Sequence, residues 1–273
     1  MQQFSTSPKE IAASFWRNRE LILALAKRDV VGRYRGSVMG VTWSLFNPIL
    51  MLLVYTFVFS VVFKARWDIG GDDSKVAFAI MLFVGMLVHG LFAECLNRAP
   101  GLILSNVNFV KKVIFPLEIL PWVAMGSALF HAAGSLVVLL LAQLIMTHQL
   151  MWTVLLFPWV LVPLVFMAMG FAWFLAGLGV YVRDIGQITG MFTTVLLFLS
   201  PVFYPINALP ERYQKWLHVN PLTFIIEESR NTLIYGKVPD IEEWGVRLVG
   251  GMVIAWCGFV WFQKTRKGFA DVL

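Results

Sequence analysis

The chain has 273 residues, of which 59% are apolar and only 14% are charged, and its formal net charge is +6. A soluble globular domain is about half apolar and about a quarter charged, so the composition excludes an ordinary soluble domain. The two cysteines, Cys95 and Cys257, lie in or beside apolar stretches, so neither a disulfide framework nor a cysteine metal cluster is expected.

The N-terminal segment, residues 1–37, carries charges throughout and lacks the apolar core of a secretory signal, so we expect it in the mature protein. Ser7, Pro8 and Glu10 predict a helix start, with a capping box and proline at the first helical position. This helix is predicted to run to about Arg28. Its apolar side predicts an amphipathic helix on the membrane surface, formed by Ile11, Phe15, Ile22, Leu25 and Ala26.

Six apolar spans are predicted next, because roughly 20 apolar residues cross a bilayer as a helix. Uncharged stretches cover residues 38–63, 76–93, 119–182 and 185–210, and the third is long enough for two spans separated at residues 147–149. A sixth span is predicted over about Val246 to Phe262. The predicted fold is one all-α transmembrane domain, with a six-span bundle over residues 38–263 and a tail over 264–273.

The basic residues are distributed unevenly between the two ends of this predicted bundle. With six spans, the end that holds both termini carries 14 of the 22 Lys and Arg residues. Basic residues favour the cytoplasmic side, so both termini are predicted to be cytoplasmic. Topology and anionic lipid account for the positive charge, so no nucleic-acid partner is expected.

The loop between spans two and three, residues 97–121, contains the apolar triplet Leu102, Ile103 and Leu104 close to two lysines. We expect this triplet to be exposed and to form a docking surface for another protein. The alternative is a stretch buried in the headgroup region.

Three prolines between residues 201 and 210 break the chain after span five. Two short helices are predicted there, over about 210–218 and from Asn220 to Gly236. Both mix apolar and charged residues, which indicates a place at the outer interface or among the spans.

Catalytic motifs are missing from the sequence. It contains no G-x-x-x-x-G-K-[ST] phosphate loop, no H-E-x-x-H pair and no G-x-S-x-G elbow. The scattered candidates are His89, Glu94, Glu118, His131, His148 and His218. We therefore expect no enzyme activity, no metal and no cofactor on this chain, and an energy source on a partner.

Four segments carry a family resemblance. They are RDVVGRYRGSVMGVTWSLFNP (28–48), KKVIFPLEILP (111–121), VYVRDIGQI (180–188), and SPVFYPI with NPLTFIIEESRN (200–206 and 220–231). Because these segments follow the order found in the family, and because of the span count, the chain resembles the membrane subunits of type-2 ABC exporters. The resemblance is to the subgroup that moves O-antigen, capsule and teichoic-acid chains.

The resemblance implies a homodimer in the bacterial inner membrane, bound to two cytoplasmic ATPase subunits that hold ATP and Mg²⁺. It implies export of lipid-linked O-antigen or a related polysaccharide; the alternative is a type-2 exporter of a small lipid or drug. A membrane enzyme and a stand-alone channel or ion-coupled transporter are less favoured, because clustered acids and midspan charges are missing. The implied ATPase-coupling residues are Arg98, Pro100, Leu102, Ile103, Leu104 and Asn106. The implied outer-gate residues are Trp216, Phe224, Glu227, Glu228 and Arg230.

A path for a long sugar chain needs a wall that touches many groups weakly, and aromatic faces can do this. Polar groups within spans prefer the bundle interior or a water-filled path. The alternative is that the aromatic residues serve packing or an interfacial belt. The predicted channel residues are Trp43, Phe46, Asn47, Phe57, Ser60, Thr189, Phe192, Thr193, Phe198, Ser200 and Tyr204.

Overall fold

The computed structural model describes residues 5–58, 75–111, 115–148 and 150–273. Within these ranges the chain is helical, with turns and short 3-10 segments between the helices and no β-strand. The α-helices are α1 Pro8–Arg17, α2 Arg19–Arg33, α3 Trp43–Phe57, α4 Lys75–Arg98, α5 Val107–Val110, α6 Leu120–Thr147, α7 Phe157–Val160, α8 Val162–Tyr181, α9 Ile185–Leu199, α10 Glu211–Val219, α11 Pro221–Leu233, α12 Ile241–Thr265 and α13 Phe269–Val272.

Five helical segments of the described chain are long and apolar enough to cross a membrane: Gly40–Phe57, Phe78–Gly101, Leu117–Ile145, Trp152–Tyr181 and Ile241–Val272. The apolar helix α9 has 15 residues, about 22 Å at 1.5 Å per residue, against about 30 Å of hydrocarbon. The predicted fifth span, 185–210, is therefore shorter than expected. It ends because Ser200, which precedes Pro201, is extended, as the residue before a proline prefers.

The N-terminal segment forms two helices instead of one. The Ser7 side chain caps α1 by accepting from the Lys9 N–H, but Glu10 pairs with Arg17 at 2.9 Å and does not complete the capping box. The helix stops at Arg17, where the Asn18 side chain donates to the Ser14 carbonyl at 2.8 Å. The second helix, α2, continues to Arg33, beyond the predicted end.

The apolar side of α2 lies against the bundle. Ile22 and Leu25 are buried in one cluster with Ile119 and Val123 at the start of α6. Since protein covers these two side chains, they are not free to enter lipid, and α2 is fixed to the spans.

Helix α4 is the centre of the bundle, because it packs against α3, α6, α8, α9 and α11. The predicted break between spans three and four is confirmed: α6 ends at Thr147, and His148 adopts a left-handed conformation with φ 53°. The segment predicted as the sixth span is helical: α12 covers it and is longer at both ends.

Helices α8 and α12 pack closely along their length. A Cβ added at Gly258 would overlap the backbone of Gly170, and one at Gly170 would overlap the backbone of Ile254. Glycine at these positions permits this approach, since any side chain would separate the helices.

Candidate functional site

A polar cavity of about 260 Å³ lies between α2, α3, α4 and α6. It is open on one side and is lined by Arg33, Tyr34, Trp43, Ser44, Asn47, Pro48, Met86, Leu87, Gly90, Leu91, Glu94, Ala128, His131, Ala132 and Ser135. Two of the predicted channel residues, Trp43 and Asn47, are therefore on its wall.

Ionisable side chains from three helices meet at this cavity. Arg33 Nη2 and His131 Nδ1 each lie 2.9 Å from Glu94 Oε1, and the Tyr34 hydroxyl lies 3.3 Å from His131 Nε2. The cavity thus presents positive, negative and neutral hydrogen-bonding groups together, which suits a ligand with several polar groups.

A second ion pair lies behind this cluster. Arg98 Nη2 donates to both oxygens of Asp29 at 2.7 Å, and the Ser127 hydroxyl donates to Asp29 Oδ2 at 2.6 Å. Burial alone would raise the pKa of Asp29, but the hydrogen bonds from Ser127 and Arg98 outweigh it and hold this pKa below its ordinary value. The pair joins α2 to the end of α4, where the loop to span three begins.

Along α3, the predicted channel residues lie on an exposed surface. Trp43 contacts Phe46 edge-on, with ring centroids 5.0 Å apart, and its indole N–H donates to the Ser37 hydroxyl. Trp43, Phe46 and Phe57 are all exposed. Ser60, also predicted to line the channel, lies outside the described residues.

Along α9, the predicted channel residues separate into two groups. Phe192 and Phe198 are exposed, whereas Thr189 and Thr193 are buried. Thr193 donates to the side chain of Asn97 at 3.1 Å, and its carbonyl lies 2.9 Å from His89 Nε2. The threonines therefore bond within the subunit, because they lie on the side of α9 that packs on α4.

The last two predicted channel residues fix the turn after α9. Ser200 is fully buried, and its hydroxyl accepts from the Asn220 side chain at 2.9 Å. The Tyr204 hydroxyl donates to the carbonyl of Phe198 at 3.0 Å. The first bond ties the end of α9 to the start of α11, and the second closes the turn onto α9.

The loop after α4 differs from the prediction in one respect. Leu102 and Ile103 are buried in the main core, so the expectation of an exposed apolar triplet is wrong for both, and Leu104 is half-buried. The sequence pattern of an apolar triplet beside lysines is the same whether the triplet packs against protein or faces solvent, so the pattern alone could not distinguish the two. The coupling role assigned to this loop stays a prediction.

The rest of the loop is anchored to its neighbours. Pro100 is buried against α8, where a Cβ added at Gly179 would overlap the Pro100 backbone. The Asn106 side chain donates to the Leu102 carbonyl at 2.9 Å. Over residues 98–111, the exposed residues are Gly101, Ser105, Asn108 and Lys111.

Helix α11, predicted to be half of the outer gate, is inserted among the spans. Arg230 is 1% exposed; it donates to the carbonyls of Met81 and Val202 and pairs with Glu227 at 2.8 Å. Phe224 and Glu228 are also buried, and burial raises the pKa of Glu228. On α10, Trp216 is 74% exposed.

The polar cluster is only partly visible in the sequence. Glu94 and His131 stand out as ionisable residues in apolar stretches, where such groups mark interior or functional positions. Asp29 and Arg33 lie among many charges of the N-terminal segment, so no local signal separates them. In the part of the chain that the structure describes, no three His, Cys, Asp or Glu residues are grouped to hold a metal.

The chain aligns with known proteins over nearly its whole length. It is 26% identical over 263 residues to the O-antigen export system permease protein RfbA of Myxococcus xanthus, covering 96% of this chain and 98% of the relative. It is also 23% identical to a Klebsiella pneumoniae protein of the same name, covering 93% of this chain and 95% of that protein. The capsule polysaccharide export inner-membrane protein CtrC of Neisseria meningitidis is 26% identical, over 93% of this chain and 96% of the relative.

The model of the ABC-2 type transporter family matches residues 20–234, well over half of the chain and most of the helices described above. This chain therefore belongs to the ABC-2 type transporter family.

Proposed function

We propose that this chain is the permease subunit of an ABC transporter that exports lipid-linked O-antigen or a related polysaccharide across the bacterial inner membrane. The observation that carries the proposal is that relatives named for O-antigen and for capsule polysaccharide export align along almost their full lengths. None of the three is named for a drug or a small lipid, so that alternative is less favoured.

The topology in this proposal has six spans, with α9 as the short fifth span and both termini in the cytoplasm. The uneven charge distribution supports it, since the Lys-rich and Arg-rich end holds α1, α2 and the loop after α4. The described helices fit such a bundle.

The polysaccharide would pass between two copies of the chain, along the exposed aromatic surfaces of α3 and α9. Those surfaces contain Trp43, Phe46, Phe57, Phe192 and Phe198, all of them exposed in the single subunit. The cavity at Arg33, Glu94 and His131 opens beside Trp43, so the polar groups and the aromatic path are continuous. Helices α10 and α11 are proposed as the outer gate.

Energy would come from two ATPase subunits, which hold ATP and Mg²⁺ and dock at the exposed side of the loop over residues 98–106. The permease itself would carry no catalytic role. Movement of this loop would reach the spans directly, because Pro100 is packed on α8 and Arg98 is bonded to Asp29 of α2.

A deletion strain tests the proposed function. We expect loss of surface polysaccharide together with accumulation of lipid-linked polymer inside the cell, both restored by the intact gene. Absence of polymer everywhere would indicate a defect in synthesis and would contradict the proposal. Unchanged surface polysaccharide with altered sensitivity to drugs would favour the alternative substrate class.

A further inference from the structure

The seam between α8 and α12 forms an apolar furrow on the outside of the bundle. Two cavities lie along it, of about 230 and 430 Å³, and Ile254 lines both. The furrow is lined on α8 by Pro163, Leu164, Met167, Gly170, Phe171 and Phe174, on α12 by Val246, Arg247, Gly250, Gly251, Val253, Ile254, Cys257, Gly258 and Trp261, and at the Arg247 end also by Pro221 and Ile225 of α11.

Glycines explain why the furrow exists. Gly258 and Gly251 let α12 approach α8, whereas a Cβ added at Gly250 would meet nothing within 4 Å. The helices thus touch along one line and leave open space beside it. Only one of the lining side chains is charged.

That charged residue, Arg247, lies at one end of the furrow. Its Nη2 donates to Glu243 Oε1 at 2.9 Å and to the carbonyl of His218 at 3.1 Å, and its guanidinium lies 5.7 Å from the Phe224 ring. Arginine has five N–H donors. The Nε of Arg247 has no hydrogen-bond partner among the described residues, but it is buried and so is closed to a ligand. Both hydrogen bonds given above use Nη2, so an anion would bind through Nη1.

The position of Arg247 matches the depth of lipid headgroups. Trp244, one turn away on α12, contacts Trp159 with ring centroids 4.5 Å apart and donates to its carbonyl, and tryptophan is enriched where hydrocarbon meets headgroups. From Arg247 to Trp261 the furrow extends about 21 Å at 1.5 Å per residue. One leaflet provides about 15 Å of hydrocarbon, half of the bilayer core, so a whole acyl chain fits along the furrow.

We propose that this furrow is a binding site for an anionic phospholipid, with its phosphate at Arg247 and one acyl chain along the α8–α12 seam. The charge at one end and the apolar wall along the rest match the two parts of such a molecule. The site lies on the outer surface of the bundle, so it holds a membrane lipid whether or not the exported substrate is a polysaccharide.

The test measures phosphatidylglycerol with 16- and 18-carbon chains bound to the purified full-length chain in detergent, by native mass spectrometry. Gly250→Leu fills the open space without a backbone clash, and we expect at least a tenfold loss of bound lipid. Gly245→Leu is the matched control, because it changes a glycine of the same helix that is also in open space but does not line the furrow. It should retain lipid like the unaltered chain.

Arg247→Gln tests the headgroup contact, with the exposed Arg212→Gln as its control. We expect only Arg247→Gln to abolish the preference for phosphatidylglycerol over phosphatidylethanolamine. Unchanged lipid binding in Gly250→Leu would overturn the proposal, as would equal binding of an uncharged diacylglycerol. Loss of self-association in Gly250→Leu without loss of lipid would assign the furrow to a second copy instead.

Discussion

Asp29 joins the N-terminal helices to the membrane bundle through three hydrogen bonds, two from Arg98 and one from Ser127. We expect Asp29→Asn to lower stability by about 1 kcal/mol at neutral pH, since the pair is partly exposed and solvent weakens it. The loss should appear as a lower Tm of the detergent-purified protein. Glu20→Gln, an exposed change on the same helix, should leave the Tm nearly unchanged.

The pH dependence of this effect has a defined sign. The folded-state pKa of Asp29 lies below its ordinary value of 3.8, so the ionised carboxylate stabilises the fold above that value. The stabilisation should disappear as pH falls through 3.8 and below, and the Tm values of Asp29→Asn and the unaltered chain should converge there. A constant difference at all pH values would show that shape, and not charge, is responsible.

At the scale of single residues, the sequence shows which side chains can ionise or form hydrogen bonds. It shows less well which of them are buried. Glu94 and His131 are recognisable because charge is rare in apolar stretches. The pairing of Asp29 with Arg98 joins positions 69 apart in the chain, and nothing local specifies it. Thr189 and Thr193 share a helix with Phe192 and Phe198, and their opposite sides are fixed only when α9 packs on α4.

The seam between α8 and α12 gives a prediction at the scale of helices. Gly258→Ala places a methyl group into the Gly170 backbone, and we expect a loss of about 1–3 kcal/mol, the usual cost of overpacking. Gly245→Ala, in open space on the same helix, should instead gain up to about 1 kcal/mol from better helix propensity. Thermal unfolding of both variants measures the contrast, and similar Tm values would contradict the close approach.

The proposed coupling loop over residues 98–106, with the adjoining exposed Asn108, gives a second prediction at this scale. Ser105→Glu with Asn108→Glu changes only the exposed side, so we expect at least a tenfold loss of co-purified ATPase with little change in Tm. Ile103→Asp buries a charge, at a cost of several kcal/mol, and should reduce the amount of folded protein. If the double variant binds ATPase normally while its fold is intact, the docking surface lies elsewhere.

Helix boundaries were largely predictable where chemistry marks them. Asn220 caps α11 through the Leu222 N–H. Gly236 has the predicted left-handed conformation, with φ 69°, but the helix ends at Leu233, before the predicted end. The junction at Asn18 was not predicted, because the amphipathic pattern continues across it. Helix α11 can be buried because Arg230 donates to carbonyls of α4 and of the turn after α9. A single sequence does not reveal these long-range contacts.

At the scale of the whole molecule, the fold leaves the aromatic surfaces of α3 and α9 exposed. Trp43, Phe46 and Phe198 are 40%, 40% and 62% exposed, so they are not part of the subunit core. A second copy facing them would turn these surfaces into the walls of a path.

Alanine at Trp43, Phe46 or Phe198 tests that path. A single aromatic contact is worth about 1 kcal/mol, and a moving polymer touches many, so each single variant should slow export a few-fold and the triple variant should nearly stop it. Surface polysaccharide measures export, and the Tm of the purified complex measures folding. Trp152→Ala is the control, because Trp152 is at least as exposed as these residues, at 66%, but lies on the connection before α7 and not on α3 or α9.

The comparison between export and stability separates a path from packing between copies. Truncating an aromatic side chain in a buried interface costs about 3–5 kcal/mol, so a packing role predicts that the Tm of the dimer falls in step with export. A path predicts a free energy of unfolding within about 0.5 kcal/mol of the unaltered complex, the usual range for surface changes, and so a nearly unchanged Tm, while export falls. If Tm and export fall together, these residues hold the copies together and the sugar path lies along other residues.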